Sequence, residues 1–164
     1  MTIPEEIAYY NALPVIFDGF VDLPELTDGV ISLNCSKKNP ADPVKNWVPS
    51  YAFDICKGGA KVGETNLRVG YTEGLYYSGN IGYMIEEAQR GNGYAVRACK
   101  LLAQVAQAHG MTTLLITTGE HNTASMRVCE KLGARLLRTA SVPEWHDLYH
   151  KGGSIGNIYE WSIV

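Results

Sequence analysis

The stretch that most constrains the fold is "SGNIGYMIEEAQRGNGYAVRACKLLAQVAQAHGMTTLLITT", Ser78 to Thr118. It opens with a strand-like run, passes the glycine pair Gly91 and Gly93, continues in a helical pattern and closes in an apolar run of strand length. Within the helical part Ala95, Ala98, Cys99, Leu102, Val105, Ala106 and His109 recur at helical spacing up to Gly110. This is an apolar stripe of mostly small residues, and a helix carrying it must lie on a sheet. Strand, glycine turn, helix and strand together predict a βαβ centre.

The flanks read as further strands. "YAFDICK", "GG" and "AKVGETNLRVGYT" alternate around a glycine turn and predict a β-hairpin from Tyr51. "GVISLNCSK" from Gly29 predicts a strand before it, and residues 4–12 a short helix. "KNPADPVKNWVPSY" carries three prolines and reads as an irregular connection. "EGLYY" reads as a loop. After the βαβ unit, "HNTASMRVCEKLGA" predicts a helix with Asn122 as N-cap and Gly133 at its C-terminal stop. "ARLLRTASV", the loop "PEWHDLYHKGGSIG" and the strand "NIYEWSIV" complete the chain. The fold class is α/β, a mixed central sheet with antiparallel flanks. With 164 residues and 46% apolar content, one domain over 1–164 is expected to build its own core.

A net charge of −3 excludes a broad electrostatic footprint for nucleic acid or anionic lipid. The four cysteines, Cys35, Cys56, Cys99 and Cys129, stand singly, with neither a zinc-ligand spacing nor a disulfide framework. No basic n-region precedes an apolar run and nothing approaches a membrane span, so a cytoplasmic location is expected.

A glycine loop between a strand and a helix gathers unpaired N–H groups at the positive end of a helix dipole, which suits an anion. Such loops are also glycine-rich for steric reasons alone, so the loop by itself leaves both readings open. Two phosphate motifs fail on the letters. A dinucleotide fingerprint needs a third glycine where Val96 stands, and an acidic residue after a strand that here ends Ile116-Thr117-Thr118; no Gly-Lys-Ser/Thr exists for a P-loop. Arg90-Gly91-Asn92-Gly93-Tyr94-Ala95 instead resembles the acyl-CoA motif of the GNAT acetyltransferase superfamily, Gln/Arg-x-x-Gly-x-Gly/Ala, at every defined position. "NTASMRVCEKLGA" resembles the family's second signature, one strand later. The joint resemblance covers about residues 51–142.

The resemblance implies acetyl-CoA as acyl donor. Gly91, Asn92, Gly93, Tyr94 and Ala95 would wrap the pyrophosphate with backbone N–H groups, with Arg90 near the phosphates or simply solvated. Tyr83, Met84 and Ile85 would pair by backbone with the pantetheine arm, and an N–H there would face the thioester oxygen. Asn122 would serve as helix cap and pantetheine partner together, with Ser125 on the same turn. Where relatives often place a tyrosine as general acid, this chain has Cys129, which falls on an apolar helix face. Solvent, Tyr83 or Tyr94 are the substitutes. Glu64 and His121 are the candidate general bases, with Glu86 third.

The function implied is acetyl transfer to a primary amine, on a small molecule or a peptide or protein N-terminus. The alternative is a CoA-binding sensor or partner-binding module without efficient catalysis. The acceptor pocket would be shaped by "KNPADPVKNWVPSY" and "PEWHDLYHKGGSIG", and the short link from the first strand to the second implies an open acceptor site. The apolar closing strand leaves two readings: a homodimer, which the family resemblance implies, through this tail or the Trp145–Tyr149 loop, or burial of both its faces within one subunit.

Overall fold

A computed structural model describes all residues 1–164 as two antiparallel sheets with helices around them. The first sheet is a meander of β1 (Ser32–Asn39), β2 (Ser50–Lys57), β3 (Ala60–Arg68) and β4 (Ile81–Ile85). The expected hairpin is β2–β3, turning at Gly58–Gly59, with Asp54 opposite Glu64 and Tyr51 opposite Leu67. Alternation decides its faces: Tyr51, Phe53, Ile55 and Leu67 are buried, whereas Asp54 and Glu64 point the other way.

The buried face of that sheet receives α3 (Tyr94–Ala108), whose Ala98, Cys99, Leu102, Val105 and Ala106 are all buried. The stripe predicted this face, but Leu101 and Ala103 are buried as well. The N-terminal segment crosses the end of this helix: the Ile16 N–H donates to His109 O at 2.7 Å, and Phe17 stacks on the His109 ring. His109 is 2% exposed, with Nδ1 at 3.0 Å from Ile16 O and Nε2 at 2.6 Å from the Tyr51 hydroxyl. It is a satisfied core histidine, tying helix, sheet and N-terminal segment together.

The second sheet has the order β5 (Thr113–Gly119), β7 (Ile155–Ser162), β6 (Arg135–Ser141). Here the reading of the closing strand as an edge is corrected. The closing strand is the middle strand of its sheet, and Ile158, Tyr159, Trp161 and Ile163 are buried within the one chain. Its two apolar faces therefore need no second subunit, and the argument for a dimer through this tail falls.

"EGLYY" is a second departure. It forms α2 (Glu73–Ser78), capped where the Leu75 N–H donates to Thr72 Oγ1 at 3.1 Å, and it buries Tyr76 and Tyr77. The first helix, α1 (Ile3–Asn11), lies beside it; buried Glu6 accepts from the Tyr76 hydroxyl and from Arg138 of β6, Nη2 to Oε1 at 2.7 Å. The second helix of the βαβ region, α4 (Thr123–Leu132), starts and stops at Asn122 and Gly133 as its letters predict. The loop before β7 holds one helical turn, α5 (Asp147–His150), anchored by His146 Nε2 at 2.9 Å from Gly74 O. No helix is long and apolar enough to cross a membrane.

Candidate functional site

The two sheets meet at Asn80. Its N–H donates to Leu115 O at 2.7 Å, and its Oδ1 accepts from the Leu115 N–H at 2.8 Å. Its Nδ2 donates to Gly70 O at 2.8 Å and Arg68 O at 3.1 Å. The preceding residue allows the approach, because a Cβ on Gly79 (φ +80°) would lie 2.9 Å from Leu115 O. Beyond this junction β4 pairs only with β3, and β5 only with β7. The adjacent edges of β4 and β5 are thus left unpaired and diverge around a cleft of about 270 Å³.

The Glu86 N–H donates to Val62 O of the neighbouring strand. Alternation then turns the N–H and C=O groups of Tyr83 and Ile85 toward the cleft and those of Met84 toward β3. Of the three residues expected to pair with the pantetheine arm, two present their backbone. Met84 contributes position only, and its side chain is exposed on the sheet's open face.

The glycine loop follows at the end of β4. Gly91 and Gly93 have φ of +84° and +75°, and a Cβ on either would project into open space, the space a ligand would need. The backbone N–H groups from Gly91 to Val96 find no acceptor in the protein, and Gly93 offers no side-chain cap. α4 behaves oppositely: Asn122 Oδ1 accepts from the Ser125 N–H at 3.2 Å. An open N-terminus on a 15-residue helix, with its dipole and free amides directed outward, matches the chemistry of a phosphate group. Arg90 braces this loop, donating from Nε to Ile85 O at 3.1 Å, and Asn92 Nδ2 donates to Gln89 O at 2.9 Å. The side chains of Tyr94 and Ala95 are buried, and Tyr94 packs into the main core and does not line the cleft.

Tyr83 and Ser125 line the cleft from the α3–α4 side. The Tyr83 hydroxyl is sealed from solvent without a hydrogen-bond partner. Burial pushes its pKa up to about 12; Ser125 beside it opposes that rise only in part and stops short of a formed bond. Such an orphan polar group calls for an explanation. Cys129 is fully buried in the main core, and burial pushes its thiol up to about 12. It fills space as a small hydrophobe.

Neither candidate base lines the cleft. Glu64 lies on the open face of the first sheet, half exposed and held by Lys61 Nζ at 2.6 Å. The His121 side chain is 90% exposed, with only Glu120 near it at 3.5 Å. Glu86 is exposed at the end of β4. Two residues with no sequence signal do matter here: Asn80, which closes the apex, and Arg68, which lines the cleft on the side away from α3. Both depend on contacts between strands distant in sequence.

Known structures share this fold. The chain is similar to the acetyltransferase that modifies the N-terminal serine of ribosomal protein L7/L12 from Salmonella typhimurium, at 18% identity and a TM-score of 0.55 over 74% of this chain and 67% of that one. It is also similar to the microcin C7 self-immunity acetyltransferase MccE in complex with acetyl-CoA and AMP (17% identity, TM-score 0.52, 69% and 61%). A third likeness is to yncA, a putative acetyltransferase from Salmonella typhimurium with acetyl-CoA (14%, 0.54, 70% and 65%). The match spans just under two thirds of the latter two chains. No curated protein sequence matches. The sequence signature of the acetyltransferase (GNAT) domain matches residues 30–135, from just before β1 to the start of β6, and so includes both β4 and β5, the strands that edge the cleft. With that signature over more than half of its length and the fold to go with it, the chain is a member of the GNAT acetyltransferase family.

Proposed function

We propose that the protein transfers an acetyl group from acetyl-CoA to a primary amine. The observation that carries this is the continuity between the free amides of Gly91–Val96 and the unpaired edge of β4. Together they form one track of donors and acceptors, fit for a diphosphate at one end and an extended amide-bearing arm along the other. Acetyl-CoA supplies an activated thioester and a thiolate leaving group. The residues of the chain do the rest.

The Tyr83 and Ile85 amides that face the cleft would hold the acyl oxygen and stabilise the charge that develops on it. The Tyr83 hydroxyl, kept protonated by burial, is the proton donor at the leaving sulfur in place of the usual residue on α4. With Glu64 and His121 both outside the cleft, the amine would lose its proton through water. A cytoplasmic setting suits the reading, since all four cysteines are free thiols. The likeness to an enzyme that acts on an N-terminal serine favours amines on peptides or amino-acid-like molecules as acceptors.

A thermal shift with acetyl-CoA tests the first half: at 100 times the dissociation constant, stabilisation should be about 2.7 kcal/mol. Thiol release over a panel of amines tests the second. Stabilisation without release for any amine would leave the sensor reading standing and remove transfer.

A further inference from the structure

We infer that Arg68 is the acceptor's anion site, so that the preferred acceptor is an amine carrying a carboxylate. This rests on the acetyl-transfer reading and names the substrate class of the same cleft.

Arg68 ends β3 and alternates with the core residue Leu67, so its side chain leaves the sheet on the side away from α3. It reaches the cleft beside Tyr77 and Gly82. There its Nη1 donates to the last carbonyls of α2, Gly79 O at 3.0 Å and Ser78 O at 3.5 Å. Nε and Nη2 have no protein acceptor, and no carboxylate lies within ion-pair distance. Arg97, Arg135 and Arg138 are matched, by Asp28, Glu160 and Glu6, and Arg90, which bonds only a backbone carbonyl, stays exposed. Arg68 alone is largely buried with no counter-charge. Burial lowers its pKa from the ordinary arginine value, and no neighbouring charge offsets that cost.

A desolvated guanidinium without a counter-charge is costly to fold, and a planar fork with free N–H groups is the shape that takes a carboxylate in two parallel bonds. The cleft wall around it is uncharged: Tyr77, Leu148 and Ile155 with the glycines Gly153 and Gly156. An acceptor entering from this side would meet Arg68 with its carboxylate while its amine reached the space between β4 and β5. That geometry fits a free α-amino acid, and equally a peptide N-terminus with an acidic side chain in its first residues. The shared chemistry is a carboxylate close to the reacting amine.

The test compares carboxylate and neutral acceptors. Thiol release is followed with free amino acids against their carboxamides, and with Ser-Asp against Ser-Asn dipeptide amides. The expected result is a kcat/KM advantage of roughly 10- to 100-fold for one carboxylate series, which identifies its source. Arg68→Met should erase the advantage while leaving acetyl-CoA affinity and melting temperature unchanged; Arg68→Gln is the second variant if the first misfolds. Independently of turnover, N-acetylglycine should raise the melting temperature of the CoA-loaded wild type more than N-acetylglycinamide does. Equal kcat/KM for charged and neutral acceptors, an advantage that survives in Arg68→Met, or no carboxylate effect in either assay overturns the inference. Failure of acetyl-CoA to bind overturns the transfer reading instead.

Discussion

Arg138 and Arg68 are both arginines pulled against the body of the protein, and they are treated in opposite ways. Arg138 meets Glu6 in two bonds, Nη2–Oε1 at 2.7 Å and Nε–Oε2 at 3.2 Å, and donates also to Met1 O. The Tyr76 hydroxyl completes the cluster from α2. Every strong group there is answered by another from the same chain, so the set fastens α1 and α2 to β6 and leaves nothing for a ligand. Arg68 is answered by two carbonyls and no charge. The tyrosines repeat the contrast: Tyr76 is partnered by Glu6, and Tyr83 by nothing. Matched groups such as these hold the fold together, while the guanidinium of Arg68 and the hydroxyl of Tyr83, which lack such a match, border the cleft.

The sharpest break of this comparison is at the tyrosines. Tyr83→Phe should lower kcat by about 100-fold at unchanged acetyl-CoA affinity, since a proton donor contributes on the order of 10²–10⁴. Its melting temperature should hold or rise, because an unpartnered buried hydroxyl is removed. Tyr76→Phe should do the reverse, keeping kcat and losing stability. If Tyr83→Phe keeps full turnover, Tyr83 is not the donor.

Next in size is Arg138→Met, which strands the Glu6 carboxylate. The melting temperature should fall by roughly 5–10 °C with acceptor preference intact. Arg68→Met should show no such fall, and equal losses in the two variants would erase the distinction between them.

A smaller effect appears in acid. Burial alone would raise the Glu6 pKa, but its bonds to Arg138 and Tyr76 outweigh that and hold it below the ordinary glutamate value. The stability it contributes is fully present above the unfolded value near 4.5 and is lost as pH falls through the lower folded value. Urea unfolding between pH 6 and pH 3 should show that loss in the wild type and a flatter profile in Arg138→Met. The smallest effect expected is that of Asn122→Ala, which removes the α4 cap for about 1 kcal/mol. Chemical denaturation would measure it.

What could be read from the letters was local. The glycine loop, the α3 stripe, the hairpin and both ends of α4 each depend on residues within a turn or two of one another, and each is where the pattern puts it. The α2 helix escaped because six residues containing Gly74 carry no periodicity; its apolar face exists only against α1 and the second sheet. The place of β7 escaped because alternation reports burial on each face but not which strands lie to either side. Arg68 stood in the sequence as an ordinary strand arginine, and Tyr83 as a backbone position and one of three substitute acids with nothing to choose between them. What sets them apart is a missing counter-charge on the one and a missing hydrogen-bond partner on the other, which show only once every strand is in place.

The junction at Asn80 has a mechanical consequence. Asn80 pins the facing edges of β4 and β5 together like a rivet, with a shared core behind both sheets, and the residues that border the cleft lie at increasing distance from it. Ile85 is five residues out along β4, about 17 Å at a strand's rise. A rotation of five degrees at the rivet thus moves the far edge by about 1.5 Å, the difference between gripping an extended arm and releasing it. Gape is therefore sensitive to packing around Gly79, Asn80 and Leu115, and substitutions there would retune both ends of the cleft together.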